Sequence, residues 1–490
     1  MVKLCFLAAI FVALVPTANV SAQTFEYKTL DYNYGFDEHQ GDARSVIMMI
    51  PDGTGPNVFA LARTRLHIDP YVMGTIQTHS STSYITDSAS SATAYATGYK
   101  TYDEAIGVDH FKQPLGTVLE AAKARGMITG MIVTSRVTHA TPASFASHVI
   151  QRDDEDEIAR QYVNNKNLDF LLGGGLRHFN ESMLASLTGA GYTVAKNYAD
   201  LLAYKSKNEA TGNLRIFGLF HKSHMSYEVD RSRVQAANTN QQTKDAREPS
   251  LPEMNNAQAK KNGFFMMIEG SRVDHAGHSN DPGTMAKEAI TFDQTFAVVN
   301  EFLETSPNTA FLSAADHGTG GLTLGRDGVY EWHPTALQMQ NMSTEGMKEE
   351  LDAILKTTDC GTGANETCKA SLFSASTNLL ATYTNVSTLA NASAVTLRDE
   401  IAKAVDGSRD LTNVMIELGH VISQPAGLRW TTTGHVGTDV NLYCKGPYVV
   451  EQMCKGVHEN TYVNKIMTNF LGLEHGQYIE TLKHRNFEVL

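Results

Sequence analysis

The chain has 490 residues, 42% hydrophobic and 19% charged, with 38 Gly and 13 Pro. This is the make-up of a folded globular protein and excludes wholesale disorder. With 40 Lys plus Arg against 53 Asp plus Glu the formal charge is -13, which excludes a general nucleic-acid binder, because such proteins need excess cations to displace phosphate counterions; an anionic substrate requires positive charge that is local.

The chain opens with Lys3, an apolar run from Leu4 to Val15 and the small-residue site Val20-Ser21-Ala22. This pattern predicts a signal peptide over 1–22, cleavage before Gln23 and an exported protein, periplasmic or secreted. The apolar run is too short to span a bilayer comfortably, no later stretch reaches about 20 uninterrupted apolar residues, and the end from His484 to Leu490 lacks the hydrophobic tail of a lipid-anchor signal. No membrane anchor is expected. The length admits one to two domains, and a single unit over 23–490 is the expectation, since α/β folds often run long.

The first strand-like run, Ser45 to Ile50, leads into Pro51-Asp52-Gly53-Thr54-Gly55. Its glycines permit a tight turn at a ligand, although a plain Asp-Gly turn reads the same way. Tyr84 to Gly98 is small and hydroxyl-rich, and Thr86-Asp87-Ser88 can begin a helix. Ser88 then sits near free N–H groups that attract anions; the competing reading is an ordinary cap by Asp87 or Ser88. Ile128 to Thr134 is the next strand, with His139 and Thr141 beyond its exit. Arg152 lies amid acids and suits either a surface ion pair or two phosphate oxygens. Asn180 to Glu253 is polar and predicts an excursion from the main fold.

Phe264 to Ile268 exits into Glu269-Gly-Ser-Arg-Val-Asp274-His275-Ala-Gly-His278. Asp274 and His278 are four residues apart, so one helical turn aims both at one ion, or pairs them with each other. Thr309 to Ser313 exits into Asp316-His317-Gly318, where adjacent residues at a loop start can converge on a metal or simply form a satisfied polar turn. His435, in TTTGHVGTD, is the least specific candidate on spacing alone. Strand-length runs followed by turns and helical patterns predict a parallel sheet covered by helices. In such sheets ligands bind beyond the carboxyl ends of the strands, where Asp52, Thr141, Glu269 and Asp316 all fall. A serine with no histidine base nearby in sequence needs another activator, and a metal that stabilises its alkoxide is one solution.

Between His317 and His435 the composition turns Ser/Thr/Asn-rich, which predicts an inserted surface subdomain around 320–430. Beyond Cys5 there are Cys360, Cys368, Cys444 and Cys454. Local loop closure favours Cys360 with Cys368 and Cys444 with Cys454 over a four-cysteine zinc site, whose couples would be more tightly spaced. Asn180, Asn341, Asn365, Asn385 and Asn391 stand in glycosylation sequons.

Taken in order, the segments PDGTGP, YITDSASSATAYATGYKTYDEAIGVD, THATPASFASH, EGSRVDHAGH, AADHG and TGHVGTD resemble the alkaline phosphatase family. Its signature V/I-T-D-S-A-x-[SA]-A is matched by Ile85 to Ala92. The resemblance implies an α/β fold with a central, mostly parallel sheet flanked by helices on both faces and a crown-like insertion. It implies hydrolysis of small phosphate monoesters through a phosphoserine on Ser88 at alkaline pH, two zinc ions and one magnesium ion as cofactors, and a homodimer. Residue by residue, Asp274, His278 and His435 match the ligands of one zinc, and Asp52, Asp316 and His317 those of the second. Asp52, Thr141 and Glu269 match the magnesium ligands. Arg152 matches the phosphate-gripping arginine, steered by Asp87. The three cations and Arg152 together outweigh the carboxylates and leave the pocket attractive to a dianion. His139 and His275 stand where other members carry Asp, and Lys or Trp, respectively, which implies dependence on added magnesium. The rivals are a diesterase or sulfatase of the same superfamily and a non-catalytic exported metal or phosphate binder. The sulfatase C-x-P-x-R or S-x-P-x-R motif is absent around Ser88, and Ser88 and Arg152 are both retained.

Overall fold

Every residue of Ser45–Ile50 is buried. A strand with no solvent-facing side belongs in the middle of a sheet covered on both faces. The computed structural model, which describes residues 43–62, 66–211, 214–231, 261–357 and 365–473, places it there. In chain order the strands are β1 (Ser45–Ile50), β2 (Val72–Gln77), β3 (Ile128–Arg136), β4 (Phe170–Gly174), β5 (Thr193–Ala195), β6 (Ile216–Leu219), β7 (Phe264–Glu269), β8 (Thr309–Ala314), β9 (Gly318–Thr319), β10 (Thr323–Leu324), β11 (Leu428–Arg429), β12 (His435–Val436), β13 (Val440–Lys445) and β14 (Gly456–Glu459). The main sheet runs β14-β2-β13-β8-β1-β7-β3-β4-β6-β5. Only β13 runs against the others, antiparallel to both β2 and β8. The expected signal segment 1–22, Cys360 and the C-terminal residues 484–490 lie outside the described residues.

Successive residues of a strand face opposite sides, and β7 shows how both faces are covered. Phe265 stacks on Phe145 of the Ala140–Ala146 helix, with ring centroids 6.1 Å apart. Phe264, its neighbour, meets Phe302 of the Pro282–Glu304 helix edge-on at 5.9 Å. That helix has Asp281 as N-cap, accepting from the Thr284 N–H, and Pro282 in its first turn, where the missing N–H costs nothing. Phe292, Phe296, Val299 and Leu303 form its buried stripe, and Phe296 packs on Phe311 of β8 at 4.7 Å.

The four strands expected from apolar runs are all present, with β3 continuing to Arg136. The excursion expected from Asn180 needs correction. Thr193–Ala195 and Ile216–Leu219 pair in parallel and complete one side of the main sheet, β6 against β4. Polar residues in the first part of this segment belong to the flanking helices Glu181–Gly189 and Tyr198–Thr211, and its Asn/Gln-rich end, residues 232–253, lies outside the described set. The 320–430 interval is largely helical, with Thr344–Thr357, Asn365–Tyr383, Asn391–Asp406 and Thr412–Ser423. Leu351, Leu372, Leu397 and Leu418 from these helices share one apolar cluster with Val273 and Ala276, so this interval backs the helix that carries Asp274. Cys444 and Cys454 form a disulfide with a Cα–Cα distance of 6.5 Å, the local pairing expected.

Beyond β3 the chain is pinned by Glu155, at the start of the Glu155–Asn165 helix. Arg136 Nε donates to both its oxygens, at 2.9 and 2.8 Å, and Thr138 Oγ1 donates to Oε2 at 2.5 Å. Burial opposes its ionisation, but Arg136 and Thr138 prevail and hold the carboxyl below its usual range. A depressed carboxylate contributes stability above its unfolded pKa of about 4.3 and loses it as pH falls through the folded value. Glu155→Gln is therefore expected to cost about 2 kcal/mol at pH 7, with the gap to the parent protein closing as the pH falls below about 4. Urea unfolding of both proteins across that range measures it, and a gap independent of pH would contradict the assignment.

Candidate active site

Parallel strands end at the same edge of a sheet, so the residues just past those ends are gathered whatever their separation in sequence. Asp52 follows β1, Glu269 ends β7, and Asp316 and His317 follow β8. The Arg272–His278 helix carries Asp274, and His278 one turn later. His435 arrives differently, on β12, which pairs antiparallel with β9 so that His435 lies opposite Thr319. Gly53 makes the approach possible. Its φ of +68° suits glycine, and a Cβ there would lie 2.7 Å from Asp274 Cα.

Ligand-type atoms converge in three groups: Asp274, His278 and His435; Asp52, Asp316 and His317; and Asp52, His139 and Glu269. Every predicted ligand except Thr141 falls in one of them. Thr141 is buried beside His139 at the start of the Ala140–Ala146 helix. His139 contributes to the third group as well. The first group is the open one: the side chain of His278 is 41% exposed, whereas those of Asp52, Asp316 and His317 are wholly buried. In the first two groups each histidine is anchored through Nδ1. His278 bonds the Thr433 carbonyl at 2.5 Å, His435 the Thr86 carbonyl at 2.8 Å and His317 the Thr319 hydroxyl at 3.3 Å. Anchoring Nδ1 leaves Nε2 to face the group's interior, the arrangement that orients metal-binding imidazoles.

Ser88 is the first residue of the Ser88–Thr97 helix, which is buried throughout and capped by Asp87. Its small side chains let the helix pack closely on the Ala140–Ala146 helix, where Ser144 Oγ donates to the Ala89 carbonyl at 3.1 Å. Ser88 Oγ lies 3.1 Å from His317 Nε2. Arg152 Nη1 donates to Asp87 Oδ2 at 3.0 Å, and Nη2 lies 3.1 Å from His139 Nε2. Burial opposes ionisation of Asp87, but Arg152 and the bonds from Ser90 hold its carboxyl below the usual range. His275 stands outside the three groups, its ring 5.5 Å from that of His139.

Four buried carboxylates in one place are costly unless something neutralises them. Burial, then repulsion from Asp316 and Asp274, pushes Asp52 well above the usual range. Burial is also the main cause that raises Glu269, to about 8, and Asp316, to about 6. Asp274 goes the other way: burial opposes it, but His278, foremost among its neighbours, lowers it, and Asp274 in turn raises His278 to about 9. Both oxygens of Asp52, Glu269 Oε1, Asp316 Oδ2 and Thr141 Oγ1 are buried without a hydrogen-bond partner among the described residues. Oxygen atoms left bare in this number, facing one another beside inward-turned imidazoles, fit bound cations. His317 is held far below the usual imidazole range, by burial first and His435 second, which makes it a weak base for the Ser88 hydroxyl.

Sequence reasoning missed several supporting residues. Thr319 Oγ1 donates to Asp274 Oδ1 at 2.6 Å; it stands two residues after His317, a signal available in the motif. Tyr95 donates to the Ala315 carbonyl at 2.6 Å and Ser91 to the Asp316 carbonyl at 2.8 Å, tying the Ser88 helix to the β8 exit. His224, from a segment without any motif, places its ring 4.3 Å from His275.

Residues 43–473 match the family described as Alkaline phosphatase. The repressible alkaline phosphatase of Saccharomyces cerevisiae is 33% identical, over 90% of this chain and 83% of its own length. Alkaline phosphatase 3 of Bacillus subtilis is 32% identical, over 87% and 88%. Among solved structures, a cold-active alkaline phosphatase from a psychrophilic Shewanella species is 28% identical with a TM-score of 0.70, over 87% of this chain and 99% of that one. The Thermus thermophilus alkaline phosphatase is 25% identical with a TM-score of 0.72, over 91% and 96%. A serine at a helix start, set against clustered carboxylates and imidazoles on a mostly parallel sheet, and a family match spanning nearly all the described chain lead to one conclusion: the chain belongs to the alkaline phosphatase family of phosphatases.

Proposed function

We propose that this enzyme hydrolyses phosphate monoesters in two in-line displacements through a phosphoserine on Ser88. The observation that carries the reading is Ser88 Oγ at a helix start, 3.1 Å from His317 Nε2, with Asp87, the preceding residue, paired to Arg152. Ser88 Oγ releases its proton to solvent and forms the new bond to phosphorus as the ester P–O bond breaks, and the departing alkoxide takes up a proton from solvent water. Water then attacks the same phosphorus from the opposite side, returning the Ser88 hydroxyl and releasing inorganic phosphate. Arg152 holds phosphate oxygens through guanidinium N–H groups beyond those bonded to Asp87 and His139, and Asp87 keeps the fork turned toward the pocket. The exposed edge at His278 gives alcohol and water their route.

Cations in the three groups supply neutralisation of the carboxylates and Lewis acidity toward the serine and ester oxygens. Asp274, His278 and His435 would hold one zinc, and Asp52, Asp316 and His317 a second, both nitrogen–oxygen sets suited to that metal. Asp52, Glu269 and Thr141 would hold magnesium through oxygen. His139 brings to that third group an imidazole, a donor magnesium takes less readily than a carboxylate. Export is supported by the segment Lys3 to Ala22 and by the Cys444–Cys454 disulfide, a bond typical of oxidising compartments. Among the described residues no helix is long and apolar enough to cross a membrane. A homodimer is supported by the family membership.

Assay against p-nitrophenyl phosphate, its bis-ester and p-nitrophenyl sulfate separates the readings. The monoester is expected to be cleaved fastest; equal or preferred cleavage of the diester or sulfate would overturn the proposal, and no turnover at all would support a binding protein. Ser88→Ala is expected to lower kcat by about a thousandfold or more and to abolish covalent label from radioactive monoester at this position in the peptide map.

Stripping metals with a chelator is expected to lower the unfolding temperature as well as activity, because the bare carboxylates then repel. Zinc alone should restore part of the activity and zinc with magnesium the rest, with an alkaline optimum. Bound metal counted by mass spectrometry gives the independent readout. Indifference to magnesium, or a maximum near neutrality, would contradict the role given to the His139-containing group.

A further inference from the structure

Ser90 occupies the position that the family signature leaves open, so the resemblance assigns it nothing. Its surroundings are nevertheless specific. It is 2% exposed, and its hydroxyl oxygen lies 2.8 Å from Asp87 Oδ1, 3.2 Å from Asp103 Oδ1 and 2.7 Å from Thr86 Oγ1. Its backbone N–H donates to the same Asp87 Oδ1 at 2.9 Å. Asp87 is thus divided: Oδ1 belongs to Ser90, and Oδ2 accepts from Arg152 at 3.0 Å.

A hydroxyl has one proton to donate. The Thr86 hydroxyl can give its own proton to Ser90 Oγ, which leaves the Ser90 proton for a carboxylate. Two compete, Asp87 at 2.8 Å and the half-buried Asp103 at 3.2 Å. When the proton points to Asp87, two donors fix Oδ1, the carboxylate plane is set, and Oδ2 faces the guanidinium. When it points to Asp103, Asp87 Oδ1 loses the hydroxyl and keeps the Ser90 backbone bond, beside the bonds from Arg152 and the Glu104 backbone, and its plane is freer to turn. Ser91 and Thr97 of this helix donate to backbone carbonyls, those of Asp316 and Thr93. Ser90 has the Asp87 carbonyl only at 3.4 Å and reaches two carboxylates more closely.

We propose that Ser90 is a positioning residue for phosphate recognition: its hydroxyl orients Asp87, and through it Arg152, while Asp103 competes for the same proton and loosens the grip. The inference rests on the reading of Arg152 as the phosphate-binding arginine. Its consequence is a pair of substitutions with opposite signs, which a purely structural role for the hydroxyl does not produce.

The test uses the full-length enzyme with zinc and magnesium, measuring the inhibition constant of inorganic phosphate, kcat and KM for p-nitrophenyl phosphate, and the unfolding temperature. Ser90→Ala is expected to raise the phosphate inhibition constant about fivefold, in keeping with loss of one bond to a charged acceptor. Asp103→Ala should lower it about twofold by leaving Asp87 the only carboxylate acceptor. In an Arg152→Ala background, Ser90→Ala should change it by less than about twofold, because the coupled pair is already broken. Additive effects in that cycle overturn the proposal, as does an Asp103→Ala variant that binds phosphate no more tightly than the parent. If Ser90→Ala does not fold, the half-buried Asp103 position still decides by the sign of its effect. Absence of monoester turnover in the parent enzyme would defeat the functional reading and this inference together. Turnover without the opposite signs defeats the inference alone.

Discussion

Mutual repulsion among four buried carboxylates is the constraint around which this molecule is arranged. Asp52, Glu269, Asp274 and Asp316 are at most 3% exposed, and protein groups alone leave several of their oxygens unbonded. Asp274 has imidazole partners that keep it ionised, whereas Asp52, Glu269 and Asp316 are driven toward protonation. A chain does not collect such groups by hydrophobic collapse. They are held together because three parallel strands, β1, β7 and β8, buried on both faces, all stop at one edge, and the apolar burial of those strands supplies the stabilisation that the site itself lacks. Bound cations would convert that local cost into binding energy and so couple occupancy to folding.

The same logic sets what could be read in advance. Runs such as SVIMMI and FFMMIE show their burial directly in composition, and residues just beyond a buried strand are positioned by the sheet rather than by their neighbours. Asp52, Glu269, Asp316 and His317 were therefore legible as site residues without any alignment. His435 was not: it reaches the site on a two-residue strand paired with β9, a contact that no local pattern encodes, and only resemblance singled it out. His139 was legible as a nearby polar residue, but its place in a ligand group depends on the N-cap geometry of a short helix, which composition does not specify. The edge strand β5 and its neighbour β6 were hidden because runs of three and four residues are too short to show a strand period.

The interval 320–430 illustrates a different limit. Its Ser, Thr and Asn content suggested a surface insertion, and many of those side chains are exposed. Yet Leu351, Leu372, Leu397 and Leu418 build a shared apolar cluster with Val273 and Ala276, on the helix that presents Asp274 and His278. Composition averaged over a segment loses the helical spacing that makes one face apolar. Packing of this kind matters to chemistry, because Asp274 also lies against Gly53 so closely that a Cβ would not fit. A shift of the helix would press on the β1 turn that presents Asp52.

The Arg152 side of the site is organised from the opposite direction, by side chains rather than by the sheet. Arg152 precedes the helix that begins at Glu155, and Glu155 is tied to Arg136 and Thr138 just before His139. Asp87 caps the Ser88 helix with one oxygen and meets Arg152 with the other. Two helix starts and one strand exit are thereby joined through hydrogen bonds to carboxylates, each stronger than a neutral bond and directional. This division of labour has a mechanical meaning. The metal-type groups sit on rigid strand ends, where fixed distances matter for coordination. The Arg152 guanidinium is held by a short relay of side chains; on the proposed reading that relay would let it tighten or relax around a phosphoryl group passing from a tetrahedral ester to a trigonal-bipyramidal arrangement without disturbing the sheet beneath.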